Sequence, residues 1–132
     1  MINWDKYAPY ITPQEVMCRC GKCDVSSAEN VKPELLDTLL DLRLEVGKPF
    51  KFSSIYRCAN HEAEIRKQSP GTHNMGMAAD IKGVNDHAWE INKAAANHPK
   101  IKAIRFAQKG DHGSRFIHID IYDRGFNHIG SY

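Results

Sequence analysis

No stretch of the 132-residue sequence approaches the ~18 consecutive apolar residues of a membrane-spanning helix, which excludes a span of that kind. Charge of one sign is also missing. Eighteen Lys and Arg face sixteen Asp and Glu, a net charge of +2 with acids and bases interspersed, so the basic stripe of a nucleic-acid binder is absent. Cysteine is scarce at four residues, far too few for a disulfide scaffold. Residues 1–6, Met1-Ile2-Asn3-Trp4-Asp5-Lys6, lack a basic region followed by an apolar stretch, so no secretory signal is read. Without one, metal binding competes well with disulfides as the use of the cysteines. Repeats, low-complexity tracts and Gly/Ser linkers are missing too. At roughly 150 residues per domain, the expectation is one domain over 1–132, acting as a monomer.

What is present is an interleaving of helical and strand patterns. Residues 1–31 read as irregular. Pro33 suits a first helical position, and Leu35, Leu39, Leu42 and Val46, widened by Leu36 and Leu40, recur at helical spacing until Gly47 and Pro49. Residues 48–56 read as a strand through Phe50 and Phe52, and Asn60 as the cap of a short helix over 61–67. A buried strand is expected at 78–81, closed by Gly83. Asn85 is expected to cap a helix over 86–97, with Trp89 in the core. Residues 101–107 and 116–122 read as a strand hairpin around the loop 108–114. The fold class is therefore α+β, a small antiparallel sheet with helices packed on one side.

Chemistry concentrates in two segments. In Phe116-Ile117-His118-Ile119-Asp120-Ile121-Tyr122, alternation sends three isoleucines to the core and Phe116, His118, Asp120 and Tyr122 to the opposite face. Alone, that is an edge strand meeting water. In Ser69-Pro70-Gly71-Thr72-His73-Asn74-Met75-Gly76-Met77-Ala78-Ala79-Asp80-Ile81, His73 precedes a glycine turn and Asp80 lies in a strand of small residues. A buried carboxylate needs a partner, and the bland one is a turn or a lysine. Taken together, His73, Asp80 and His118 provide two imidazoles and a carboxylate. That is the usual protein complement of a catalytic zinc whose fourth position activates water.

The pattern Ser-x-x-x-His-x-x-Gly-x-Ala-x-Asp, followed later by Phe-x-His-x-Asp, resembles the zinc DD-peptidase and hedgehog superfamily, the M15 peptidases. Ser69, His73, Gly76, Ala78, Asp80 and Ile81 stand at the family's spacing. The run Ser53-Ser54-Ile55-Tyr56-Arg57-Cys58-Ala59-Asn60-His61 is similar to its Ser-x-Tyr-Arg-x-x-x-His segment. The resemblance spans about 50–122. It implies an α+β zinc peptidase acting on a peptide bond of peptidoglycan: D-Ala-D-Ala, a cross-bridge or a stem bond. It also implies that Arg57 faces the scissile carbonyl, where a fixed cation stabilises the developing oxyanion; the bland alternative is a surface ion pair. A phage lysis-type enzyme made in the cytoplasm, reaching the wall after release or aboard a virion, fits the missing signal.

The resemblance has a gap. Family members place an acid three residues before the second histidine ligand, or a histidine two before it; here stand Arg115 and Phe116, neither a base. Asp120 shares the face of His118 and is either the base or the group that orients His118 or Arg57. Asp111 and His112 on the preceding loop are reserves. The gap supports a rival, a non-catalytic zinc-fold binding module or a virion structural protein.

The cysteines form Cys18-x-Cys20-x-x-Cys23 and Cys58-x-x-His61. All four cysteines, or Cys20, Cys23, Cys58 and His61, are candidates for a structural zinc; a disulfide and free thiols are the alternatives. His87, His98 and His128 read as surface residues.

Overall fold

The computed structural model describes residues 1–132 and is α+β. Its centre is a five-stranded sheet in the order β1-β2-β4-β3-β5, with β1 at Phe52–Ser54, β2 at Ala78–Lys82, β3 at Ala103–Ala107, β4 at Phe116–Asp120 and β5 at His128–Ser131. The first four strands pair antiparallel, and β3 and β4 form the expected hairpin. The sheet is mixed rather than purely antiparallel, because β5 runs parallel to β3 along the outer edge. No helix is long and apolar enough to cross a membrane.

One sheet face is apolar because alternate residues are. Phe52, Ile81 and Ile117 fall opposite one another across β1, β2 and β4, as do Ala79, Ile119 and Ile104 across β2, β4 and β3. Two longer helices belong to the same core, α2 over Pro33–Val46 and α3 over Asn85–Asn97. Leu35, Leu36, Leu39 and Leu42 of α2 are fully buried, each stabilising the fold by about 2 kcal/mol relative to exposure. Gly47 ends α2 in the left-handed region, φ +73°.

Several local expectations are corrected. Trp89 is 71% exposed: α3 buries Ala88, Ile91, Ala94 and Ala95, and Trp89 points off that stripe. Asn85 is not a cap but the first helical residue, at φ +50°, while Val84 at the cap position makes no side-chain bond. The strand expected over 48–56 contracts to Phe52–Ser54, where its pairing with β2 slips register. The helix expected over 61–67 is a set of hydrogen-bonded turns. There the Glu64 carboxylate folds inward to Lys67 Nζ and the Gly71 N–H, closing a loop instead of leaving a regular helix.

Residues 1–31 are mostly irregular but carry short helical turns at Trp4–Lys6 and Val25–Asn30 and a four-residue helix, α1, over Pro13–Val16. Thr12 and Glu15 form a reciprocal capping box on α1. Tyr7, Ile11, Val16, Ala28 and Val31 then join the core. Gly76, at φ +73°, is required where it stands: a Cβ there would collide with the Asn30 carbonyl at the end of the Val25–Asn30 turn. This close approach docks the turn between His73 and β2 onto the N-terminal segment, and Lys32 N–H donates to Gly76 O at 2.9 Å.

Candidate metal centre and active site

The sheet face opposite the helices is polar because its register makes it so. Ser54 of β1, Asp80 of β2, His118 of β4 and Arg105 of β3 fall side by side in one row across four strands. His73 comes from the loop before β2, which is tied to the loop after β1: Asn74 Nδ2 donates to Arg57 O at 2.9 Å, and Arg57 N–H to His73 O at 3.4 Å. The structure thus brings His73, Asp80 and His118 together, all at least 96% buried. One donor atom from each lies within 4.8 Å of the others.

The hydrogen-bond partners decide which ring nitrogens are free. His73 Nδ1 stands 2.7 Å from Ile55 O, which can only accept, so Nδ1 carries the proton and Nε2 keeps its lone pair. His118 Nε2 stands 2.9 Å from Asp120 Oδ2, which fixes the proton there and leaves Nδ1 free. Both free nitrogens point at Asp80 Oδ1, His73 Nε2 at 3.2 Å and His118 Nδ1 at 2.9 Å. Three electron-pair donors aimed at one small volume repel one another unless a positive charge lies among them. Two nitrogens and one carboxylate oxygen suit zinc, and the donor set fits that ion.

The titration behaviour has the same origin. Burial pushes the Asp80 carboxyl up, but His118 and His73 outweigh it and hold it far below the ordinary carboxylate range. Burial pushes the His118 imidazolium down, but Asp120 and Asp80 outweigh it and raise its pKa. The pocket's field demands positive charge.

Arg57 lies beside this cluster. Its Nη2 donates to Asp80 Oδ2 at 3.2 Å, the oxygen facing away from the histidines, and its Nε donates to Ser54 Oγ at 2.9 Å. Glu64 Oε2 lies 3.7 Å from Nη1. The Glu64 side chain is 2% exposed, and its burial raises its pKa, but Lys67, the Gly71 N–H and Arg57 together keep it ionised below the usual range.

Asp120 is fully buried with every oxygen engaged. Oδ2 accepts from His118 Nε2 and Arg124 Nη2 (2.9 Å each), and Oδ1 from Arg124 Nη1 (2.8 Å) and Tyr122 N–H (3.3 Å). It therefore meets His118 on the nitrogen remote from Asp80. Asp111 and His112 are exposed on the turn before β4.

Four residues of this region carry no motif in the sequence: Glu64, Arg105, Arg124 and Tyr132. Arg105 was findable from strand alternation, which sets it on the polar face beside His118; its Nε is buried without a hydrogen-bond partner. Tyr132 follows β5 and sets its ring 6.5 Å from that of His118. Of the other histidines, His98 bonds Asp41 at 2.8 Å, His87 stands by Phe50, and His128 lies on β5. The four cysteines gather in a separate cluster adjoining Arg57 in sequence.

Residues 9–120 match the family described as Peptidase M15. The chain belongs to the Peptidase M15 family. The match takes in every donor of the buried cluster as well as Arg57 and Asp120. A peptidase of this family acts on peptides, and the family's zinc dependence agrees with the donor set of His73, Asp80 and His118. No curated protein matches the chain.

Proposed function

We propose that this M15 peptidase is a zinc enzyme that hydrolyses a peptide bond in peptidoglycan, D-Ala-D-Ala or a cross-bridge or stem bond, in the manner of a phage lysis enzyme. The observation that carries the reading is the convergence of three free electron pairs, on His73 Nε2, Asp80 Oδ1 and His118 Nδ1, beside the guanidinium of Arg57. When bound there, zinc supplies Lewis acidity for activating water and polarising the scissile carbonyl.

The residues of the chain do the rest. The Ile55 carbonyl and Asp120 hold the two imidazoles in the tautomers that leave the correct nitrogens free. Arg57, held by Ser54, Asp80 and Glu64, offers a fixed cation to the negative charge that grows on the carbonyl oxygen. Because it is held before substrate arrives, little reorganisation is needed at the moment of reaction. Asp120 is a positioning residue: its oxygens are taken by His118, Arg124 and the Tyr122 N–H, which leaves none for a water proton.

One observation favours the alternative of a binding module with the same fold. Arg115 and Phe116 occupy the positions where relatives by resemblance carry a base. The test separates the two. Zinc-loaded protein is incubated with purified peptidoglycan, and the fragments are identified by mass spectrometry, with chelated protein and His118→Ala as controls. A new free amine at one defined bond, absent from both controls, is the expected result. Intact wall from every chemotype, with zinc still bound, would assign the chain to binding rather than cleavage.

A further inference from the structure

The four cysteines meet although they come from two distant parts of the chain. Cys18, Cys20 and Cys23 lie in the turn that follows α1, and Cys58 follows Arg57 in the loop after β1. All four Sγ atoms lie within 4.8 Å of one another. Cys20 Sγ is 3.5 Å from Cys23 Sγ and 3.7 Å from Cys58 Sγ. A disulfide needs sulfurs ~2.05 Å apart, so no pair is bonded. A tetrahedron of sulfurs at ~2.3 Å from a central zinc has edges of ~3.8 Å. The observed separations are close to those edges.

The backbone is shaped for the same end. Gly21, at φ +89° with open space where a Cβ would stand, lets the chain reverse between Cys20 and Cys23. The reversal aims the Lys22 N–H at Cys20 Sγ (3.4 Å), and the Cys58 N–H points at Cys18 Sγ (3.3 Å). Backbone donors directed at sulfur favour the thiolate form that a metal requires. Arg19 fastens the same turn to the sheet edge by donating to the Phe52 and Ser53 carbonyls, each at 2.9 Å. His61 is not part of the group; its Nδ1 accepts from the Ala63 N–H at 3.0 Å.

We infer that Cys18, Cys20, Cys23 and Cys58 form a second, structural metal site that binds one zinc ion through four thiolates and ties the N-terminal segment to the loop carrying Arg57. Four protein ligands close the coordination shell and leave no position for substrate, which separates this site from the one at His73, Asp80 and His118. The segment it fastens has only four-residue α1 and short turns as regular structure, so a metal tie adds to the Tyr56 N–H to Val16 O bond (3.1 Å) and the core contacts that hold it.

The test does not depend on the first site being catalytic. Zinc is counted in reduced, full-length His118→Ala protein, and the ligand shell is read by X-ray absorption at the zinc edge. One zinc per chain with a four-sulfur shell is expected. Should that variant fail to fold, native wild-type protein is treated with iodoacetamide with and without chelator. Four thiols protected until the chelator is added supports the site. Rapid alkylation of all four in zinc-loaded protein, or disulfides with no zinc uptake after reduction, would overturn it.

Discussion

The two clusters of metal-ligating side chains stand on opposite kinds of backbone. Asp80 and His118 project from adjacent central strands whose register is fixed by hydrogen bonds on both sides, and His73 is anchored by the Ile55 carbonyl. The cysteines project from a turn and a loop, with the turn fastened chiefly by Arg19. In the first, the fold sets the donors before any ion arrives, which is what a reaction centre needs if its geometry is to be constant through turnover. In the second, the ion and the fold depend on each other, which is how a small domain secures a segment with little regular structure. Arg57 belongs to both regions, its side chain on Asp80 and its neighbour Cys58 among the thiols.

Removing a donor from the strand-built site should have the largest effect. His118→Ala takes away an ion worth several kcal/mol to the transition state, so kcat/KM for a wall peptide should fall by at least ~10³-fold. Circular dichroism should show the sheet retained. Arg57→Ala should lower kcat about 10²–10³-fold with zinc content unchanged, measured by steady-state kinetics beside metal analysis. A rise in KM with kcat unchanged would place Arg57 outside the oxyanion site.

Asp120→Asn sharpens the division between positioning and proton transfer. Loss of the carboxylate behind His118 should weaken zinc binding about 10–100-fold, and excess zinc should restore turnover. Activity that stays lost at saturating zinc would make Asp120 the base. The smallest effect should come from Glu64→Gln, costing about 1–2 kcal/mol at neutral pH through loss of charge-assisted hydrogen bonds. Because the folded Glu64 carboxyl lies below its unfolded value, its contribution is present above that unfolded pKa and is lost as pH falls through the folded one. Denaturant titrations from pH 7 to 3 should therefore show a steeper acid decline in the wild type than in Glu64→Gln.

The centre of the molecule was legible where side-chain period and residue type agree. Alternation in 116–122 set His118 and Asp120 on the face opposite the isoleucines, and the leucine spacing of 33–46 gave α2 to the residue. Legibility failed where a partner far along the chain decides. Which nitrogen of His118 faces Asp80 depends on Asp120 being held by Arg124, a contact that no motif announces. Glu64 looks like a helical surface acid until the Gly71 loop returns to it. Nothing in the His128–Ser131 pattern marks β5, whose place is set by an open edge on β3. Trp89 misled because its size argued for burial while its position on α3 did not.

The central claim is that the strand-built donors hold the metal that cleaves peptides. It is tested most directly by adding zinc stepwise to metal-free wild type and Asp80→Ala and following release of amine from a peptidoglycan peptide. Wild-type activity should appear with zinc and vanish on chelation, while Asp80→Ala stays inactive though zinc remains on its thiolates. Cleavage by metal-free protein, or equal activity in Asp80→Ala, would contradict the account.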